Sequence, residues 1–194
     1  MSPERLKIGL ARFFVAFFFL CVTLCEVKEE AFEDSRMSIS RLSTENKEIQ
    51  LSDFKSKFIA ISFIFSKCPM PNMCPASIYK NQYLSTIFKS NDIKFLMVSF
   101  DYLYDTPEVL SNVYGNINTE NLIFLSSYNH IDDIYTLTQQ AGVGYWGVEE
   151  NNIGHTMRTI ILDQNLKLVK TLDGMDWNPG EAKKSIENLI KIYQ

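Results

Sequence analysis

Cysteine and histidine are scarce in this chain: four cysteines and two histidines in 194 residues. Any site built from them has few candidate members. Clustered positive charge is absent too; the net charge is −4, and no basic run exceeds Lys183-Lys184. That excludes duplex nucleic acid as a partner, because such binders need a concentrated basic footprint. No period of 20–50 residues repeats, which excludes a solenoid, and no segment is of low complexity. The longest apolar stretch, Phe13 to Cys25, is 13 residues with Thr23 its one polar member, short of the roughly 20 that span a bilayer. What remains is ordinary globular composition, 46% hydrophobic and 22% charged, enough for one domain of about 150 residues behind a leader.

The leader occupies residues 1–27. Arg5, Lys7 and Arg12 precede the apolar run, and an acidic stretch from Glu26 to Asp34 follows it. A basic flank before a short apolar core is the pattern of an export signal. Extended from Ile8 to Val27, the run reaches spanning length if Arg12 reaches back to the headgroups. A cleaved signal, an uncleaved anchor and a lipid-modified Cys21 or Cys25 all stay open, although Leu20 and Leu24 suit a lipidation site badly. In each case the positive flank stays inside and the domain faces outward. The expectation is an exported, cell-envelope protein, attached to the membrane by its N-terminal segment or released to the periplasm. Outside the cytoplasm, cysteine pairs are oxidised unless they are kept reduced or bind metal.

Residues 28–46 read as a linker, with a short hairpin in the polar stretch that continues to Ser56, and residues 47–194 as the domain. Phe58 to Phe65 is apolar except for Ser62, which predicts a central strand covered on both faces. Ala76 to Lys89 reads as a helix with Ile78, Tyr79, Leu84, Ile87 and Phe88 on one stripe. Ile93 to Phe100 is a second buried strand. Asp105-Thr106-Pro107-Glu108 opens a helix, with Asp105 as the cap. Leu122 to Leu125, Ile131 to Ala141, Thr156 to Leu162, Lys167 to Leu172 and Pro179 to Ile192 complete the alternation. Gly142 to Gly154 reads as irregular. The order β-α-β-α-β-α-β-β-α predicts an α/β fold of thioredoxin-like type, a mixed central sheet with helices on both faces.

The chemistry concentrates in Cys68-Pro69-Met70-Pro71-Asn72-Met73-Cys74-Pro75. If Pro75 is the first helical residue, Cys74 is the helix cap. Free backbone N–H groups and the helix dipole would then lower its pKa. Pro69 and Pro71 forbid a continuous helix back to Cys68, so a loop can bring both sulfurs together. The pair reads as a reversible dithiol or a two-thiolate metal site, with a structural disulfide as the plainer alternative. His155 follows Gly154 at a strand entrance and can supply a third ligand; two thiolates and an imidazole suit copper. Asp101, at the end of the second strand, has either a loop role or a supporting role beside the site. His130 reads as a surface or capping residue, Met70 and Met73 as packing residues, and Trp146 and Trp177 as packing near the site. A peroxidase would need a stabilising cation such as arginine near a reactive cysteine, and the motif has none.

Taken together, Phe63-Ile64-Phe65-Ser66-Lys67-Cys68-Pro69, Cys74-Pro75, Val98-Ser99-Phe100-Asp101, Asp105-Thr106-Pro107 and His155 with Ile160-Ile161-Leu162-Asp163 resemble the Sco/SenC family in order and spacing. The resemblance covers roughly Lys47 to Tyr193. It implies a thioredoxin-like copper chaperone, anchored or exported, that binds one copper ion through Cys68, Cys74 and His155. It implies as partner the copper-site subunit of a terminal oxidase, in the maturation of the CuA site of cytochrome c oxidase. The family's usual loop has three residues between the cysteines and this chain has five, which alters how two thiolates meet a metal. Asp101-Tyr102 also stands where the family often has Asp-Pro. A thiol-disulfide oxidoreductase that reduces an acceptor's cysteines, and a thioredoxin-like binding module with a structural disulfide, are the competing readings.

Overall fold

Two apolar heptapeptides form the centre of the molecule. In the computed structural model, which describes residues 39–41, 47–117 and 119–193, strand β3 (Phe58–Ile64) and strand β4 (Ile93–Ser99) lie parallel and every residue in both is buried. Strands with no polar alternation must be covered on both faces, and here they are the inner members of a seven-stranded sheet.

The other strands are β1 (Ile39–Arg41), β2 (Glu48–Ile49), β5 (Leu122–Ser126), β8 (Arg158–Leu162) and β9 (Leu168–Asp173), in the spatial order β2-β1-β5-β4-β3-β8-β9. The β3, β4 and β5 strands run parallel; β1, β8 and β9 join antiparallel. Strands β6 (Tyr145–Trp146) and β7 (Gly154–His155) form a separate two-stranded ribbon. Helices α1 (Cys74–Ile87), α2 (Pro107–Tyr114), α3 (Ile131–Ala141) and α4 (Pro179–Tyr193) complete the fold. The order β3-α1-β4-α2-β5-α3-β8-β9-α4 is the alternation expected from the sequence, and the mixed sheet with its helices is the thioredoxin-like arrangement.

Three local differences have physical causes. Strand β1 lies in the stretch read as linker, where it pairs with β2 and adds to the sheet beside β5. The segment read as irregular contains the β6/β7 ribbon, whose short strands lack the length for a periodic signal. Helix α1 buries a different face from the stripe expected: Ile78 and Leu84 are inside, but Tyr79 and Ile87 face solvent. Polar Ser77, Asn81 and Ser85 are buried in their place.

Asn81 explains that inversion. Its side-chain amide donates to the Ser62 hydroxyl at 2.9 Å and to the Ser77 carbonyl at 2.9 Å, and Ser62 shares a 2.7 Å hydrogen bond with Thr159. A polar seam thus joins α1 to β3 and β8. Buried polar groups are tolerated when they are hydrogen-bonded, and an apolar stripe cannot reveal such a helix face.

No helix among the described residues is long and apolar enough to cross a membrane. The leader read from residues 1–27, with Cys21 and Cys25, lies outside the described residues.

Replacing Asn81 with alanine removes two donors from the seam. We expect a loss of about 1–3 kcal/mol, read as a lower urea midpoint with an unchanged slope. A variant as stable as the parent would show that the seam contributes nothing.

Candidate functional site

The β3–α1 loop begins where Phe65 ends the apolar run. The Cys68 N–H donates to the Phe65 carbonyl at 3.4 Å and the Met73 N–H to the Met70 carbonyl at 3.1 Å, so the loop folds in two tight steps. Proline at positions 69 and 71 prevents it from continuing as helix. Helix α1 then starts at Cys74 itself, with Met73 at the cap position and Pro75 in the first turn. Cys74 is therefore the first helical residue and not the cap, one position on from the sequence expectation.

That register, together with burial, changes the chemistry. Cys74 is 0% exposed. Burial pushes its thiol well above the ordinary cysteine range, and the neighbouring Cys68 thiol adds to the effect through hydrogen bonding. The lowered pKa expected from the helix terminus is overturned: removal from water outweighs the dipole. Cys68 is half-buried, and its sulfur lies 3.8 Å from the Met70 carbonyl. Both cysteines are free thiols.

His155 is carried on β7. Its Nε2 lies 3.7 Å from Cys74 Sγ, and its Nδ1 lies 3.1 Å from the Thr156 carbonyl. A carbonyl can only accept, so Nδ1 carries the proton. In the neutral ring Nε2 then presents its lone pair to the cysteine, the arrangement a metal-binding imidazole needs. Burial lowers the pKa of His155, the Thr156 carbonyl opposing it, which favours that neutral form. The ring is held by aromatic neighbours: Phe100 at 4.7 Å between centroids and Phe65, edge-on, at 5.9 Å. Phe100 in turn stacks on Tyr145, the pairing partner of His155 in the ribbon.

The residue that ties the loop down is Asp105, whose expected role as helix cap is taken by Thr106, with Oγ1 accepting from the Val109 N–H at 3.1 Å. Asp105 is fully buried and its carboxylate accepts from the Ser66 N–H at 2.8 Å, from the Ser66 hydroxyl and from the Ser99 hydroxyl. It joins the β3–α1 loop, two residues before Cys68, to the end of β4. Asp105 heads the Asp-Thr-Pro sequence, but its tie to Ser66 spans 39 residues; no local signal announced it.

Asp101 is also buried, but it serves its own loop. Its Oδ1 accepts from the Tyr104 N–H at 3.0 Å and more weakly from the Leu103 N–H at 3.3 Å. Burial raises its pKa above 3.8, and the Asp105 charge raises it further, against the pull of the Tyr104 and Leu103 N–H groups and Lys67. Lys67 lies over the Tyr104 ring at 3.2 Å, a second link between the two loops. His130 stands at the head of α3 near Asp133, 3.5 Å away, apart from this cluster in role.

Among the described residues, no group of three or more His, Cys, Asp or Glu side chains is placed so that it could hold a metal ion. What they bring together is a buried thiol, an imidazole lone pair aimed at it, and a second thiol on the adjoining loop. The fit to a soft metal rests on donor chemistry: sulfur with neutral nitrogen, in an apolar surround. The half-buried Cys68 sulfur lies against the Met70 carbonyl at 3.8 Å.

A thioredoxin-like domain thus carries two free thiols around the start of α1, with an imidazole 3.7 Å from the buried one. The SCO1/SenC family model matches residues 29–191, and the chain belongs to that family. An SCO2-like protein of Rickettsia prowazekii is 28% identical over 138 residues, covering 66% of this chain and 65% of that protein. Arabidopsis thaliana ScoI, solved with copper bound, superposes with a TM-score of 0.66 at 18% identity, over 81% of this chain and 97% of that one. A SCO1/SenC family lipoprotein of Bacillus anthracis gives 0.67 at 22% identity, over 78% and 91%. The two structures share the fold.

Two outcomes test these roles. Asp105→Ala leaves the Ser66 N–H without its partner, and we expect a loss of about 1.5–3 kcal/mol in urea unfolding, with faster alkylation of Cys68; an unchanged alkylation rate would detach Asp105 from the loop. For Asp101 the folded pKa exceeds the unfolded value, so the native state binds more protons between the two. Its contribution to stability is therefore full below pH 3.8 and declines as pH rises through the folded value. Asp101→Asn keeps the Oδ1 acceptor, so its stability relative to the parent should increase across that window. A difference that is flat with pH would refute it.

Proposed function

We propose that this domain carries a copper ion as cargo between Cys68, Cys74 and His155. We also infer that it serves the maturation of a copper site of the CuA type in a cytochrome c oxidase. The observation that carries the reading is the 3.7 Å approach of His155 Nε2 to Cys74 Sγ, with Nδ1 committed to the Thr156 carbonyl. Membership of a family with a member solved with copper bound supports it.

The residues divide the work. His155 offers a lone pair without giving up a proton. Cys74 binds as thiolate, so metal arrival must displace its proton, which burial otherwise retains. Cys68, the half-exposed thiol, closes the set last and opens it first, because it lies on the loop that faces solvent. The aromatic rings of Phe65 and Phe100 keep the ion's inner side dry, which strengthens thiolate binding. The five-residue spacing between the cysteines gives Cys68 reach, and Asp105 limits that reach from the N-terminal side. Copper is handed on by exchange to thiols or imidazoles of the acceptor, an oxidase copper-site subunit.

Dithiol chemistry is the second reading, favoured by the unequal exposure of the pair. As thiolate, Cys68 attacks an acceptor disulfide, forming a mixed disulfide and releasing one acceptor thiol. Cys74 then attacks the Cys68 sulfur and releases the second. Two electrons pass to the acceptor, and a Cys68–Cys74 disulfide remains. In both readings the leader places the domain outside the cytoplasm, anchored through the N-terminal segment, lipid-modified, or released.

Anaerobic titration of the reduced full chain with copper should give one ion per chain. His155→Ala should weaken that binding by about tenfold or more, while alkylation of both cysteines abolishes it. Unchanged affinity in His155→Ala would sink the three-ligand site and favour the redox reading.

A further inference from the structure

Helix α3 and the β6/β7 ribbon enclose an open cavity of about 420 Å³ beside the thiol–imidazole site. Tyr135, Tyr145 and Trp146 are among its walls, and Asp132 and Glu149 bring carboxylates to it; no lysine, arginine or histidine lines it. Large apolar side chains stand in water here: Trp146 is 60% exposed, Tyr135 58% and Ile131 48%. Isolated cases are ordinary, but a contiguous group on a cavity marks a binding surface.

The placement is built. Trp146 pairs with Gly154, and its indole passes within 2.5 Å of where a Cβ on Gly154 would stand. Any larger residue at 154 would push the ring away, so glycine lets the indole lie across the ribbon. The loop from Gly147 is closed by the Asn152 N–H on the Gly147 carbonyl at 2.9 Å and the Asn151 N–H on the Val148 carbonyl at 3.1 Å. Glu149 is carried on that loop, and its carboxylate accepts from the Tyr102 hydroxyl, which orients it. Tyr145, on the inner wall, is the pairing partner of His155 and stacks at 5.5 Å on the Phe100 ring that packs against the imidazole. The groove therefore adjoins the site through shared side chains.

Aromatic faces with acidic groups beside them and no cation of their own are complementary to a basic side chain. Arginine suits them better than lysine, because its planar guanidinium stacks on a ring while its edge meets a carboxylate. We propose that this groove takes an arginine side chain from the protein that docks over Cys68, Cys74 and His155, stacked on Trp146 and Tyr135 with Glu149 and Asp132 as counter-charges. The ligand chemistry stands on the groove itself; its assignment to a docking protein rests on the handover reading of the site. Trp, Tyr and Arg are the side chains that most often anchor such interfaces, and here the domain supplies the rings and the partner the cation.

The chain has two tryptophans, so Trp177→Phe leaves Trp146 as the reporter. Acetyl-Gly-Arg-Gly-amide is titrated into the reduced full chain against its citrulline analogue, which has the same shape and no charge. The expected result is a saturating fluorescence change at Trp146, about tenfold weaker with citrulline, and lost in Glu149→Gln and in Tyr135→Ala. Shifts of the Trp146 indole N–H resonance in the unsubstituted chain guard against a fold change from Trp177→Phe. Equal binding of the two peptides, or full binding by Glu149→Gln, overturns the proposal. Copper titration of Glu149→Gln separates the two readings. Copper binding retained with arginine binding lost supports the groove. Absence of arginine binding in a copper-binding parent overturns the groove alone, whereas arginine binding without copper binding upholds the groove and overturns the metal site.

Discussion

A buried carboxylate holds the working end of this molecule together. Asp105 accepts hydrogen bonds from both the backbone and the side chain of Ser66 and from Ser99, and so fixes the start of the cysteine loop to the end of a neighbouring strand. The geometry of the site follows from that constraint. Phe65, just before Ser66, and Phe100, just after Ser99, are brought side by side at 5.5 Å, and their rings form the seat of His155. Without the tie, the start of a loop with two prolines and five residues between its cysteines would rest on the Cys68 N–H bond to Phe65 and the Lys67–Tyr104 contact.

The second determinant is exclusion of water. Cys74 starts a helix, the situation that ordinarily favours a thiolate, yet it is fully buried, with the imidazole 3.7 Å from its sulfur. Burial wins, and it holds the thiol well above the ordinary cysteine range. The pair is therefore asymmetric, with Cys68 reachable and Cys74 sequestered. His155 complements it: a neutral ring whose proton is committed to the Thr156 carbonyl leaves its Nε2 lone pair toward Cys74.

How far the molecule can be read from its sequence depends on the range of the interactions involved. The central strands were legible because burial on both faces leaves a nearly continuous apolar run, as in Phe58 to Phe65 with Ser62 its one polar member, and the helix before Tyr114 because Pro107 opens it. The scarcity of cysteine and histidine made Cys68, Cys74 and His155 the natural candidates, and the structure sets His155 against Cys74 with Cys68 on the adjoining loop. The inner face of α1 was not legible: Asn81 is inside because Ser62 and Thr159, on two different strands, meet it there. The cap of α2 was misread for the same reason. Asp105 satisfies the local cap pattern as well as Thr106 does, and only Ser66, 39 residues earlier in the chain, decides which one is free for it.

The sequence by itself determined the order of elements, the fold class and the small set of residues able to do thiol or metal chemistry, because periodicity, proline placement and residue scarcity are local properties of the chain. Only the tertiary structure decided that Cys74 is a protonated, buried thiol, that Asp105 is a tether, and that an aromatic, acidic groove adjoins the ribbon that carries His155. Those outcomes depend on which groups are removed from water together, and desolvation is a property of the packed assembly that no stretch of sequence carries alone.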